Sequence, residues 1–177
     1  MKIVILQGSP NMKGSTNLLV ESFSKGAKES GHSVKRLDIA DMGISPCNGC
    51  IACGYEGPCA IDDDNEIVKS EILDSDMVVF ATPLYYYGMS AQLKAVVDRF
   101  CSYNSSLHDK RLKSALLVVA WNSDSWTFEA IEAHYNVLVK YNHFDNKGMV
   151  LGYGCGTTSM TMNSKYIKDA YELGRSL

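Results

Sequence analysis

No stretch of apolar residues approaches the roughly 18 that a membrane-spanning helix needs, and no run of lysine and arginine interrupts the chain. Charge of either sign is nearly balanced, with 17 Lys and Arg against 20 Asp and Glu, for a net charge of −3. These absences argue against nucleic acid and against a membrane as partners. The first apolar run is too short, and stops too soon in a polar loop, for a signal peptide, which predicts a cytoplasmic protein. There is no internal repeat, no low-complexity linker and no break in composition, so residues 1–177 are expected to form one domain. Neither the G-x-G-x-x-G nor the P-loop pattern is present. What remains is an ordinary globular composition, 46% apolar and 21% charged, in a chain long enough to bury about two-thirds of its unfolded surface.

Cysteine is the exception. Of six in the chain, four crowd between Cys47 and Cys59. In a reducing compartment such crowding points to metal or redox chemistry rather than structural disulfides.

The chain opens with Lys2–Leu6 (KIVIL), an apolar, partly β-branched run that reads as a buried strand. Gln7-Gly8-Ser9-Pro10 ends it, and a loop rich in glycine and hydroxyls leads to Ser15-Thr16-Asn17 and a periodic apolar segment. A loop of this kind aims backbone N–H groups and hydroxyls at one point, where the helix dipole favours negative charge. It fits a phosphate site, and it equally fits an ordinary strand-to-helix turn with a hydroxyl cap.

A helix over 16–30 stops before Gly31, and Ser33–Ile39 alternates as an edge strand does. Residues 42–58 lose all periodicity and carry four glycines and two prolines, a loop long enough to imply function. Asp62-Asp63-Asp64 is expected to open a helix to about Leu73, its carboxylates complementing the N-terminal dipole rather than binding calcium or magnesium. Met77–Ala81 (MVVFA) reads as a central strand, followed by the loop Thr82–Gly88 and a helix over 90–101. Ser114–Ala120 is a fourth strand, residues 127–143 a helix, Met149–Leu151 a fifth strand, and residues 163–173 a last helix. Strands alternating with helices predict an α/β fold with a parallel sheet covered on both faces. Five such units favour an open, doubly wound, flavodoxin-like sheet in the order 2-1-3-4-5. That order places Ser9–Asn17 beside Pro83–Gly88 at the switch-point crevice, with the loops at 121–124 and 152–157 along the same edge.

The loop after the third strand holds Tyr85, Tyr86 and Tyr87 between Pro83 and Gly88. One or two of them could pack into the core, yet a carboxyl-edge loop is a poor place to bury three aromatics. A flat, partly polar ring stacked there would meet aromatic faces and the peptide N–H groups of residues 84–88. A phosphate socket and a ring shelf on one crevice describe a mononucleotide with a large heterocycle, and flavin mononucleotide (FMN) fits best.

Three segments carry a family resemblance: GSPNMKGST (8–16), PCNGCIACGYEGPCAIDDD (46–64) and ATPLYYYGMSAQLKAVVDR (81–99). The chain resembles the NAD(P)H-dependent FMN reductase group of the flavodoxin-like superfamily, which includes the iron–sulfur flavoproteins. The resemblance implies Ser9, Ser15, Thr16 and Asn17 as phosphate ligands and Pro83, Leu84, Tyr85, Tyr86, Tyr87 and Gly88 as the loop against the flavin ring. Where such proteins often carry a basic residue after Gly-Ser-Pro, this chain has Asn11, leaving the helix dipole and Lys13 to face the phosphate. The resemblance further implies hydride transfer from a nicotinamide to FMN and then electrons to an acceptor, with no side chain needed as acid or base. His32, His108, His134 and His143 lack a paired nucleophile and are read as surface or packed residues.

Cys47-x2-Cys50-x2-Cys53-x5-Cys59 resembles the compact four-cysteine motif of the iron–sulfur flavoproteins. Thiolates spaced by two can wrap a corner of a 4Fe-4S cubane, and Gly54 and Gly57 give the fourth cysteine slack to return to it. Zinc fits less well, because its structural sites separate two cysteine pairs by a long spacer. Cluster-free reductases of the group carry similar cysteines as thiols or packing residues, so both states stay open. Cys101 and Cys155 have no partner spacing and are expected to be spectators.

Three functions follow as expectations. The first is an oxidoreductase passing electrons from NAD(P)H through FMN to a flavin, quinone, nitro, azo or protein acceptor. The second is an electron carrier whose 4Fe-4S cluster exchanges electrons with FMN, and the third a non-enzymatic FMN-binding redox sensor. A subunit this small leaves much of a flavin open, which predicts a homodimer or homotetramer whose neighbour closes the crevice.

Overall fold

The computed structural model describes residues 1–177. Five parallel strands form one sheet: β1 (Lys2–Gln7), β2 (Ser33–Asp38), β3 (Met77–Pro83), β4 (Lys113–Val119) and β5 (Asp145–Gly152), in the order β2-β1-β3-β4-β5. The helices are α1 (Ser15–Glu29), α2 (Asn65–Asp74), α3 (Ala91–Asp98), α4 (Asn104–Lys110), α5 (Glu129–Tyr141), α6 (Thr158–Met162) and α7 (Tyr166–Arg175). This is the flavodoxin-like architecture expected from the alternation of elements. None of the helices is long and apolar enough to cross a membrane.

β3 is buried at every position, as an all-apolar central strand must be, whereas β2 alternates and buries only Leu37, as an edge strand does. Alternate residues feed two cores. Ile3, Ile5, Met77, Val79 and Leu117 pack under α1 and α7, while Val4, Leu6, Val78, Phe80 and Leu116 pack under α2, α3, α4 and α5. Each fully buried Leu, Ile or Phe contributes about 1.5–3 kcal/mol from surface removed from water. On the first face α1 and α7 approach through Gly26 and Gly174. A Cβ on Gly26 would lie 2.1 Å from the Tyr171 carbonyl oxygen, and one on Gly174 would lie 2.2 Å from that of Phe23.

Among the boundaries that differ from the sequence expectation, three stand out. β5 begins at Asp145 instead of Met149, because the exposed polar residues Asp145 and Asn146 still pair with β4 through an irregular register. The helix expected over 90–101 ends at Asp98, and a 3-10 turn (Arg99–Tyr103) and α4 follow it. The last helix starts at Tyr166, after the separate short α6.

Candidate functional site

Because β1 and β3 are neighbours, the loops leaving their carboxyl ends meet, and hydrogen bonds fasten them together. Gly8 donates its N–H to the Ala81 carbonyl (2.8 Å), and the Ser90 hydroxyl donates to the Gly8 carbonyl (2.6 Å). Gly8 sits so close to α3 that a Cβ there would fall 2.6 Å from the Cβ of Leu93. Ser90 also caps α3 by accepting the Leu93 N–H (3.3 Å).

The first loop is folded around Asn11, whose backbone carbonyl accepts the Gly14 N–H (2.9 Å) and whose side-chain oxygen accepts the Lys13 N–H (3.1 Å). Its N–H in turn bonds the Ser9 hydroxyl (3.2 Å). α1 starts immediately afterwards with no side-chain cap, so the N–H groups of Ser15 and Thr16 have no intrahelical partner. The Ser15 hydroxyl is buried there without a hydrogen-bond partner. A buried, unpartnered donor at a helix N-terminus is costly unless an anion completes it.

A cavity of about 590 Å³ opens at this point, within the size range of small-molecule sites. Ser9, Lys13, Gly14, Ser15 and Thr16 of the first loop line it together with Pro83, Leu84 and Tyr85 of the second, Trp121 and Cys155 to Thr158. Lys13 is the one charged side chain among the lining residues. The Trp121 ring lies against Gly156, and Cys155, expected to be a spectator, is a buried part of this wall. Trp121 and Thr157 belong to loops that the strand order brings to this edge, but neither carries a motif that marks it.

Two of the expected contacts are redirected. The Asn17 side chain turns away from the cavity, donating to Glu21 (2.8 Å) and accepting from the Arg36 guanidinium on β2, and its N–H bonds the Gly14 carbonyl (3.1 Å). Of the segment 83–88, Pro83, Leu84 and Tyr85 line the cavity, and Tyr86, Tyr87 and Gly88 do not. Tyr85 and Gly88 exchange N–H···O bonds of 3.0 and 3.1 Å across a two-residue turn. That turn forces positive φ on both Tyr86 (48°) and Tyr87 (68°), positions that usually hold Asn or Gly. Tyr86 is fully exposed, and Tyr87 packs on Trp126 with ring centroids 5.3 Å apart.

The cysteine loop builds a second cavity, of about 300 Å³, lined mainly by apolar and thiol groups. Cys47, Cys50, Cys53 and Cys59 all line it, all as free thiols, and Cys101 lines it too. Cys101, expected to be a spectator, therefore belongs to the pocket, brought there by the 3-10 turn after α3. Burial, with the neighbouring Cys47 and Cys53 thiols, pushes its pKa up to about 12. No group of three or more Cys, His, Asp or Glu side chains is arranged to hold a single metal ion. A cubane cluster takes one thiolate per iron, so its ligands ring a volume instead of meeting at a point. Four free thiols around an apolar cavity fit that requirement.

One guanidinium shapes the loop. Arg99 is fully buried and its side chain donates to the Ser45 carbonyl (2.9 Å) and the Ile61 carbonyl (3.1 Å), the two stems of the cysteine segment. It also forms a bidentate ion pair with Asp63 (3.0 and 3.2 Å). Burial pushes the Asp63 carboxyl upward, but hydrogen bonds from Arg99 and from the Ser45 and Asn65 N–H groups outweigh it and hold the carboxyl below its ordinary range. Asp64 stands at the N-cap of α2, but its carboxylate accepts the Gly43 N–H (2.7 Å) and makes no cap hydrogen bond. Two of the three aspartates thus fasten the cysteine loop, a role beyond the dipole function expected of them.

The sequence profile of the NADPH-dependent FMN reductase family matches residues 1–154. An iron-sulfur flavoprotein of Methanocaldococcus jannaschii is 36% identical over 99 residues, covering 56% of this chain and 51% of that protein. One from Archaeoglobus fulgidus is 34% identical over 103 residues, covering 58% of this chain and 47% of that protein. The chain spans about half the length of these curated relatives. An NAD(P)H:quinone oxidoreductase from Methanothermobacter marburgensis shares the fold with a TM-score of 0.81 at 19% identity, over 99% of this chain and 95% of that one. With the profile spanning both crevice loops and the cysteine segment, this chain belongs to the NADPH-dependent FMN reductase family.

Proposed function

We propose that this chain binds FMN in the crevice between β1 and β3 and works as an NAD(P)H-dependent flavin oxidoreductase. The observation that carries the reading is the make-up of the 590 Å³ cavity, which brings an unsatisfied Ser15 hydroxyl together with Pro83–Tyr85 and Trp121. Ser9, Ser15 and Thr16 donate to the phosphate, the α1 dipole and Lys13 offset its charge, and Asn17 holds α1 to β2 from behind. Residues 83–85 and Trp121 orient the ring and exclude water from one of its faces. When bound, the flavin supplies two-electron chemistry between a nicotinamide and an acceptor of the flavin, quinone, nitro, azo or protein class. The exposed Tyr86, Tyr87 and Trp121 favour a homodimer or homotetramer in which a second copy covers the open face.

The test is anaerobic. Purified protein loaded with FMN should lose its flavin absorbance on addition of NADH or NADPH, and loss with neither would remove the oxidoreductase reading. Sedimentation of the FMN-bound protein as a monomer would remove the oligomer.

A second reading is favoured by the thiol-lined cavity and by the iron-sulfur flavoproteins among the relatives: a 4Fe-4S cluster on Cys47, Cys50, Cys53 and Cys59. Arg99 holds the two stems of the loop together and lies beside Cys59, so it both shapes the pocket and places positive charge next to a ligand sulfur. Anaerobic purification with metal analysis should find about four irons per chain. An iron content of zero after reconstitution would eliminate this reading while leaving the first intact.

A further inference from the structure

Five thiols line the cysteine cavity, one more than a cubane cluster requires. We propose that Cys101 is a reserve ligand of this pocket, a thiol that takes up the iron left open when Cys47 or Cys53 is lost. The inference rests on the iron–sulfur reading of the same pocket.

Placement supports it. The four motif cysteines sit on an irregular loop, in which Ile51 (φ 62°) and Tyr55 (φ 67°) occupy left-handed backbone. Cys101 instead stands on the 3-10 turn that continues α3, two residues from Arg99. Arg99 is tied to both loop stems, at Ser45 and Ile61, so the position of Cys101 relative to the loop is fixed by the same clasp. The Cys101 S–H donates to the Asp98 carbonyl at 3.3 Å within its own turn, which leaves the sulfur lone pairs for the cavity. The Cys47 and Cys53 thiols line the same cavity as Cys101 and lie near enough to raise its pKa. It is therefore positioned to replace either of those two.

In the exchange the S–H bond of Cys101 breaks, an S–Fe bond forms and the proton leaves to water. No electron moves, so no further reactant is needed.

The experiment is anaerobic reconstitution of the full chain with ferrous iron and sulfide, followed by iron and acid-labile sulfide counts and electron paramagnetic resonance. Alanine is the replacement throughout, because a serine oxygen could itself ligate iron. Wild type and Cys101→Ala should hold equal iron, and Cys47→Ala and Cys53→Ala should keep that content. Each of these two combined with Cys101→Ala should lose a quarter of the iron or more, and Cys50→Ala should lose it whether or not Cys101 is present. Loss of iron from Cys47→Ala and Cys53→Ala equal to that of the double variants would overturn the proposal, as would loss from Cys101→Ala alone. Wild type without iron would instead remove the cluster reading, and this inference with it. Retained FMN binding in each variant, read by flavin fluorescence, separates ligand loss from unfolding.

Discussion

The Ser90 hydroxyl donates a 2.6 Å hydrogen bond to the Gly8 carbonyl, across 82 residues of chain, and so joins the two loops that form the crevice. The same oxygen caps α3, so one small side chain fixes both the crevice and the helix behind it. Ser90→Ala should lower stability by about 1–2 kcal/mol from the lost cap and buried hydrogen bond. It should also weaken FMN binding. Urea unfolding and an FMN titration check the two effects.

The unpartnered Ser15 hydroxyl makes a sharp ligand prediction. A hydrogen bond to a charged group is worth about 1.5–3 kcal/mol, so Ser15→Ala should weaken FMN about tenfold or more. Riboflavin, which lacks the phosphate, should bind both forms equally. An equal loss for both ligands would place the phosphate elsewhere.

The positive φ of Tyr86 costs stability, and its fully exposed side chain returns only an edge-on contact with the Tyr87 ring (centroids 6.2 Å apart). Tyr86→Gly should therefore raise stability by about 1 kcal/mol. The same change should weaken self-association or turnover, the trade expected when strain is kept for function. Thermal melting together with sedimentation would show both.

Asp63 carries a pH dependence. Its folded pKa is lowered, so its contribution to stability is complete above the ordinary carboxylate range and is lost as pH falls through the lowered folded value. Asp63→Asn should leave the buried Arg99 unpaired, costing about 3–5 kcal/mol at neutral pH. It should also flatten the acid limb of the stability curve. Urea midpoints between pH 2 and pH 7 (roughly the range over which native-state carboxylates titrate) test this.

The α1–α7 contact predicts a purely steric effect. Gly174→Ala places a methyl 2.2 Å from a carbonyl oxygen on α1, and should destabilise by about 1–3 kcal/mol without changing FMN affinity per folded molecule.

Local pattern determined much of this protein. The all-apolar run at Met77–Ala81 specified a strand buried on both faces, and the alternation at Ser33–Ile39 specified an edge. Helices between parallel strands then imposed the order that brings Ser9 to Thr16 opposite Pro83 to Tyr85. These features are legible because hydrophobic periodicity and turn chemistry act over a few residues.

The tertiary structure alone decided which neighbours compete for a polar side chain. Asn17 has the residue type and position of a phosphate ligand, yet Arg36, 19 residues away, claims it. Asp63 accepts the N–H of the first helical residue, Asn65, as a helix-start carboxylate does, and also pairs with Arg99, 36 residues on, while Cys101 has no partner by spacing yet lines the cysteine pocket. The Asn17 pairing depends on how α1 lies beside β2, and the other two on how α3 and the 3-10 turn return to the cysteine loop. A hydrogen bond or a cavity wall is set by distance in space, which the sequence encodes only through the whole fold.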